Sequence, residues 1–254
     1  MSLNLYSSIA DKYTSNSQKI RALTENWVNK YIYCPNCGKN VSEHENNQPV
    51  ADFYCSKCQE DFELKSKNGN SMGKTIADGG YDTMIDRIIS DSSPHFFFLN
   101  YNKDTYEVVN FVATPSYMFA PDMIIKRKKA LPKRPNYFMC NIDISSIPNS
   151  GKIFYIKNRE VQSKDKILEE WSKTTFLKES SNITSKGWLL DIIKCIEKLD
   201  KNNFSLNDIY QFEKYLNNKH PNNNNIQAKI RQQLQILRDR EYLLFESRGK
   251  YRLK

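Results

Sequence analysis

Two carboxylates and an ammonium fall within one short stretch of the chain. They are Asp52, followed by Glu63 and Lys65 in a Glu-x-Lys pattern. Residues 50–54 (VADFY) and 62–65 (FELK) mix β-branched or aromatic residues with polar ones, which predicts two strands. Residues two apart on a strand share a face, so Glu63 and Lys65 point one way while Phe62 and Leu64 face the core. With Asp52 on the neighbouring strand, the three groups converge. Phosphodiester hydrolysis needs that inventory: carboxylates hold Mg²⁺ through oxygen, and the metal offsets phosphate charge and lowers the pKa of a bound water. The lysine can orient that water or oppose the developing negative charge. The same residues also suit an ordinary charged sheet face. The nuclease reading gains from the apolar neighbours of each carboxylate, where an unpaired charge is costly.

Between the two halves of this pattern lies a Cys-x-x-Cys. The chain carries Cys34-Pro-Asn-Cys37 and Cys55-Ser-Lys-Cys58, with residues 38–54 between the pairs. This is the spacing of a zinc ribbon. Four thiolates complete a tetrahedron with no open position, so the Zn²⁺ held by Cys34, Cys37, Cys55 and Cys58 is expected to be structural. A redox pair or an iron–sulfur centre are the competing readings. Cys140 and Cys195 stand in apolar surroundings and read as buried thiols, and His44 reads as a surface residue rather than a ligand. The second knuckle then forms the turn of a hairpin carrying Asp52 on one strand and Glu63 and Lys65 on the other. Zinc would fix the register that spaces the catalytic groups.

The elements around these groups follow from pattern and composition. The 254 residues are 39% hydrophobic and 26% charged, enough for a packed core, and suggest a main domain plus a smaller one. A formal charge of +9 favours a polyanionic partner, nucleic acid before an anionic membrane. No apolar run reaches the ~18 residues of a membrane span, and the N-terminus lacks a signal-peptide pattern. A reducing cytoplasm is therefore expected, and a monomeric chain is expected beside it. The runs at 95–101, 106–114, 139–144 and 152–156 read as sheet core. TIADGGYDTMIDRIIS (75–90) reads as a helix weakened by Gly79-Gly80. Lys126-Arg127-Lys128-Lys129 and Lys133-Arg134, interrupted by Pro132 and Pro135, read as a basic loop with Tyr137 just behind. Such a loop can grip a DNA backbone and place a ring against a base, or simply be solvated.

Towards the C-terminus, residues 164–178 predict a helix and 180–187 (SSNITSKG) a linker. Apolar positions Trp188, Leu189, Ile192, Ile193, Ile196 and Leu199 repeat at helical spacing, and Ser205 is an N-cap for a helix over 206–216. In the next segment Ile226, Ile230, Leu234 and Leu237 form a buried stripe, with Asn224, Ala228, Arg231, Gln232 and Gln235 outside it. The end of the chain predicts a hairpin with a basic tip at Arg248-Gly249-Lys250. Three helices followed by such a hairpin is the order of a winged helix, whose third helix can enter a major groove. Lys229, Arg231, Gln232 and Gln235 are candidate DNA contacts there, with Asn224 at the helix entry and Arg248 and Lys250 on phosphates.

The pattern CPNCG…PVADFYC…C…FELKSK, the FFFL and CNID stretches, and KIRQQLQILRD with RGKYR resemble the DpnI family of restriction endonucleases over essentially the whole chain. That resemblance implies an α/β fold: a PD-(D/E)XK nuclease domain over residues 1–181, with an inserted zinc ribbon at about 34–58, then a winged helix over 182–254. It implies a type II, methyl-directed endodeoxyribonuclease that makes Mg²⁺-dependent double-strand breaks at GATC carrying N6-methyladenine. Blunt ends and readout by both domains are also implied. Asp52, Glu63 and Lys65 match the catalytic positions, with Asp52 and Glu63 as Mg²⁺ ligands. The four cysteines match the zinc ligands, and Arg231, Gln232 and Gln235 lie in the matching recognition helix. Where the family pattern has Gly-Trp before CNID, this chain has Asn136-Tyr137-Phe138, so a stacking role there falls to Tyr137. One methyl contact contributes only about 1 kcal/mol, so readout at two bases or by two domains suits a methyl requirement. A DNA-binding regulator, with no need to group Asp52, Glu63 and Lys65, is the rival class. A nuclease of another site preference is a third reading.

Overall fold

A computed structural model of the chain describes residues 1–44, 51–179 and 183–254. It divides into two compact units, residues 1–146 with 150–175, and residues 147–149 with 176–254. The expected boundary at 181/182 lies outside the described residues, as does Val50.

The first unit opens with helix α1 (Asn16–Tyr31), then strands β1 (Ser42–Glu43), β2 (Phe53–Tyr54), β3 (Asp61–Asn68) and β4 (Thr75–Gly80). Helix α2 (Tyr81–Ile89) follows, then β5 (His95–Asn102), β6 (Glu107–Thr114), β7 (Ile124–Leu131) and β8 (Arg134–Asp143). Strands β9 (Ile153–Lys157) and β10 (Glu160–Val161) and helix α3 (Lys164–Ser172) complete it. Seven strands form one sheet in the order β1-β2-β3-β5-β6-β9-β10. Its centre is β5, buried along nearly its whole length because Phe96, Phe97, Phe98 and Leu99 leave no polar face for solvent. β3 pairs with β5 in parallel, with Glu63 opposite Phe96 and Lys65 opposite Phe98. A parallel neighbour requires a crossover, and the chain makes it through β4 and α2. Helix α1 buries Leu23, Trp27 and Val28, with the Trp27 ring centroid 5.4 Å from that of Phe111. Phe62 stacks on Phe97 at 4.5 Å, fixing the core side of β3.

Three expectations for this unit change. Residues 75–80 are a strand, and the helix starts only at Tyr81. Glycine's entropy cost disfavours helix, and β4 instead pairs with β8, Asp78 opposite Cys140. The basic segment is not a loop but the β7–β8 hairpin, with Pro132 in its turn and irregular register around Lys126–Leu131. Proline is tolerated at such a tip and at ladder irregularities. Residues 139–143 lie not in the main sheet but in a separate sheet of order β4-β8-β7.

The second unit contains α4 (Ile183–Leu199), β11 (Asn203–Ser205), α5 (Leu206–Tyr210), α6 (Glu213–Lys219) and α7 (Ile226–Asp239), ending in β12 (Leu243–Ser247) and β13 (Lys250–Leu253). Of the expected linker, residues 180–182 lie outside the described residues, and from Ile183 onward the chain is helical. Ser205 caps α5 through a reciprocal box with Asp208. The single helix expected over 206–216 is two, because Phe212 takes ψ 5 and breaks the turn. The buried stripe of α7 is Ile226, Ile230, Leu234 and Leu237, joined by Gln233. β11, β13 and β12 form an antiparallel sheet in that order. Gly249 takes φ +72 in the Arg248-Gly249 turn, which a side chain would strain.

Candidate active site and metal centre

β2 and β3 pair antiparallel, Phe53 opposite Phe62 and Tyr54 opposite Asp61, so residues 55–60 form the turn between them. That turn is closed by the Cys55 amide donating to the Glu60 carbonyl at 2.8 Å. The first knuckle is closed by the Gly38 amide on the Cys34 carbonyl, with Gly38 at φ +75. The Sγ atoms of Cys34, Cys37, Cys55 and Cys58 all lie within 4.8 Å of one another. Zn–S bonds of about 2.3 Å in a tetrahedron need S–S edges of about 3.8 Å, so the set fits one such ion. Burial pushes the Cys34 thiol far up, and burial with the adjacent Cys37 pushes Cys58 up to about 11. Burial also opposes ionisation of Cys37, but the Lys39 amide and neighbouring thiols outweigh it and hold that group below its ordinary value. A divalent cation supplies the charge that lets all four ionise together. His44 stands apart from the set, 2.8 Å from Asp61 and with its ring 4.7 Å from Tyr54.

Two further contacts fasten the knuckles to the core. Lys164 donates to the Gly38 carbonyl at 2.7 Å. Buried His95 accepts from the Ser116 amide at Nδ1, which leaves Nε2 to donate to Glu60 at 2.9 Å.

The hairpin delivers Asp52 to β3. Its amide donates to the Phe62 carbonyl at 3.0 Å, and its Oδ2 accepts from the Leu64 amide at 2.7 Å. Glu63 and Lys65 project from β3 two residues apart, with Lys65 Nζ 2.5 Å from Glu63 Oε1. Asp52, Glu63 and Lys65 line one open cleft of about 620 Å³, together with Arg21 and Glu25 from α1. The three predicted residues are therefore brought together. Lys65 also pairs with the buried Asp78 of β4, and Arg87 of α2 lies 3.5 Å from Glu63 Oε2. Arg21 lies 2.6 Å from Glu25 and 3.8 Å from Asp52 Oδ1.

Burial raises the pKa of Glu63, and Asp78 adds to the rise while Lys65 and Arg87 oppose it. Burial alone would lower that of Lys65, but Glu63 and Asp78 outweigh it and the ammonium is held above its ordinary value. Glu25 is raised, chiefly by burial and further by Asp52 and Glu43, against the pull of Arg21. The cleft thus holds carboxylate oxygens of the hard donor type that suits Mg²⁺, beside an ammonium fixed by two anions.

In the second unit, Asn224, Arg231, Gln232 and Gln235 are exposed, and Lys229 is half-buried with its Nζ 2.8 Å from Gln232 Oε1. Arg248 and Lys250 are exposed at and beside the β12–β13 turn. Tyr137 lies in the first unit, on β8, half-buried with its ring against the backbone of Gly80 and 5.8 Å from Arg134. Residues 1–180 match the sequence model of DpnI, the Dam-replacing family, and residues 184–253 match DpnI_C, the Dam-replacing HTH domain. The chain belongs to the Dam-replacing DpnI family. Membership makes it a methyl-directed restriction endonuclease carrying a helix-turn-helix DNA-binding domain. Among the described residues no helix is long and apolar enough to cross a membrane.

Sequence reasoning missed Asp78, Arg87, Arg21 and Glu25. Asp78 and Arg87 lie in the segment read as one continuous helix, a misreading that hid the strand bringing Asp78 to Lys65. Arg21 and Glu25 sit four apart on α1, a spacing visible in sequence as a helical ion pair. Nothing in that spacing points to Asp52.

Proposed function

We propose that this chain is a type II endonuclease that cuts both strands of DNA at GATC carrying N6-methyladenine, in a Mg²⁺-dependent reaction leaving blunt ends. The observation that carries the reading is the meeting of Asp52, Glu63 and Lys65 in one cleft, in a chain of the DpnI family. The core is read as a PD-(D/E)XK nuclease over residues 1–181, and residues 182–254 as a winged helix. The order α4, β11, α5, α6, α7 and a basic β-hairpin supports the second assignment.

Asp52 Oδ1 and the Glu63 carboxylate would hold Mg²⁺, since Asp52 Oδ2 is committed to the Leu64 amide. Bound there, Mg²⁺ would supply charge neutralisation at the scissile phosphate and would lower the pKa of a bound water. With Glu63 engaged by the metal, Lys65 keeps Asp78 as its anionic partner. Its ammonium would then remain in the cleft, held by Asp78, to orient the attacking water. Zn²⁺ on the four cysteines holds the hairpin and takes no part in hydrolysis.

Asn224, Lys229, Arg231, Gln232 and Gln235 on and beside α7 face the bases, Arg248 and Lys250 the phosphates, and Tyr137 serves the first unit's contact with DNA. Base readout is shared by the two domains.

The test incubates the protein and Mg²⁺ with two plasmid preparations, one adenine-methylated at GATC and one unmethylated. Linear and fragmented product from the methylated plasmid alone supports the reading. Cutting of both keeps the nuclease and removes the methyl requirement. Binding with no cutting of either favours a regulator. Lys65→Ala should abolish cutting while DNA binding persists, and loss of both in a folded variant refutes the role given to Lys65.

A further inference from the structure

The cations of the second unit differ in how they are held. Arg238 pairs with Asp239 at 2.7 Å, Arg252 with Glu246 at 2.8 Å, and Lys254 with Glu241 at 2.5 Å. Each of these spends its charge on a carboxylate of the same unit. Arg231, exposed on α7, is held otherwise. Its Nη1 donates to the hydroxyl of Tyr210 at 2.7 Å, and among the described residues no ion pair takes it.

A neutral acceptor has two consequences. It fixes the guanidinium without cancelling its charge, so the full positive charge remains for an outside acceptor. It also occupies a single N–H. A guanidinium carries five in a planar fork, so the edge formed by Nη2 with Nε, or with the second Nη1 hydrogen, stays free for two parallel bonds. That is the geometry of a bidentate arginine contact to guanine O6 and N7.

The anchor is itself fixed. Tyr210 closes α5, whose start is locked by the Ser205–Asp208 capping box and whose middle is pinned by fully buried Ile209. The Tyr210 ring is half-buried, so its hydroxyl sits at a defined place beside α7.

We propose that Tyr210 is a positioning residue for base recognition: its hydroxyl holds the Arg231 guanidinium in the plane and direction needed to read a guanine of the target. The inference rests on the proposed role of α7 in reading DNA. Exposed arginines lose rotamer freedom when they bind, and an arginine already held in place loses less of it.

The experiment measures binding of the full-length protein to labelled duplexes with Mg²⁺ withheld. It compares wild type, Tyr210→Phe, Arg231→Ala and the double variant. The duplexes are a methylated GATC site, the same site with 7-deazaguanine in place of its guanines, and a random sequence. Loss of one hydrogen bond of typical net strength at the exposed guanidinium predicts that Tyr210→Phe weakens binding to the intact site by about 3- to 10-fold. The random duplex and the salt slope should not change. The effect should vanish on the 7-deazaguanine duplex and in the Arg231→Ala background, with thermal midpoints equal throughout. A merely structural role would lower affinity for all three duplexes, and that result overturns the proposal. So does a Tyr210→Phe effect that persists without Arg231, or no Tyr210→Phe effect where Arg231→Ala relaxes sequence preference. If Arg231→Ala costs no discrimination, the recognition role of α7 falls and the inference falls with it.

Discussion

Gln233 offers a sharp test of how α7 is built, because Gln232 and Gln235 on the same helix face DNA in the proposed function while it faces the core. Its side chain is 0% exposed, and among the described residues neither Nε2 nor Oε1 has a hydrogen-bond partner. A buried polar group left unpaired costs about 1–3 kcal/mol. Methionine has the same unbranched length and fills the space with apolar atoms, and such volume-conserving changes cost under about 1.5 kcal/mol in fit. The balance predicts that Gln233→Met stabilises the unit by about 1 kcal/mol. For a unit of this size, about 1 kcal/mol raises the midpoint by about 4–8 °C. Calorimetry on the full-length protein measures it. DNA affinity should stay unchanged, since Gln232 and Gln235, not Gln233, are on the outer face. A lowered midpoint would refute the reasoning, because it would mean the amide makes bonds that the fold depends on. Gln233→Ala is the control: it removes the amide but leaves a void, so it should not reproduce the gain.

The active-site cleft carries further expectations. Asp78→Asn removes the anion that holds Lys65 once a metal engages Glu63, and should lower the cleavage rate constant about 10- to 100-fold with DNA affinity intact; single-turnover cleavage and binding assays separate the two, and an unchanged rate removes Asp78 from the reaction. The raised pKa of buried Glu63 means that protons compete with Mg²⁺ there above the ordinary carboxylate range. The Mg²⁺ concentration for half-maximal cleavage should therefore be level at neutral pH and climb as pH falls through that raised value, while a level requirement down to the ordinary value refutes the assignment. In the metal-free protein the sign follows the same shift: Glu63 favours folding most below its unfolded value of 4.5 and loses that contribution as pH rises through its folded one. Cys58→Ser should cost the protein one equivalent of zinc and its cleavage together, since a structural zinc contributes on the order of 10 kcal/mol; metal content, circular dichroism and cleavage check it, and full activity without zinc would refute it.

What could be read from the sequence was what acts locally. The Cys-x-x-Cys pairs, the Asp and Glu-x-Lys flanking the second pair, and the stripe of α7 are patterns over a few residues. Strand and helix periodicity fix where such groups point. What could not be read depends on which distant strands pair. Asp78 reaches Lys65 because β4 joins β8 in a second sheet, and no residue near Asp78 announces that partner. The basic segment at 126–134 misled for a related reason. Its prolines exclude a helix, but a hairpin tip tolerates them, so composition alone cannot separate a loop from a ribbon. Gln233 went unassigned because the apolar stripe accounts for helix packing without it, and only the packed unit places an amide inside.

The four-cysteine cluster and the cleft are linked through strand register. β2 is only two residues long, too short to fix its own alignment against β3. A slip of one residue on a strand turns every side chain to the other face. Because β5 holds β3 along its length, such a slip of β2 would turn Phe53 out of the core and carry Asp52 away from Glu63 and Lys65. The alignment that prevents this comes from outside the ladder: from the knuckle that closes residues 55–60, from Glu60 held by His95, and from Asp52 bonded to the Leu64 amide. The last of these closes the argument. Asp52 is both the residue proposed to hold the catalytic metal and the one that bonds to β3 between Glu63 and Lys65. Any loosening of the cysteine knuckle should therefore reach the chemistry through Asp52, before the rest of the sheet is disturbed.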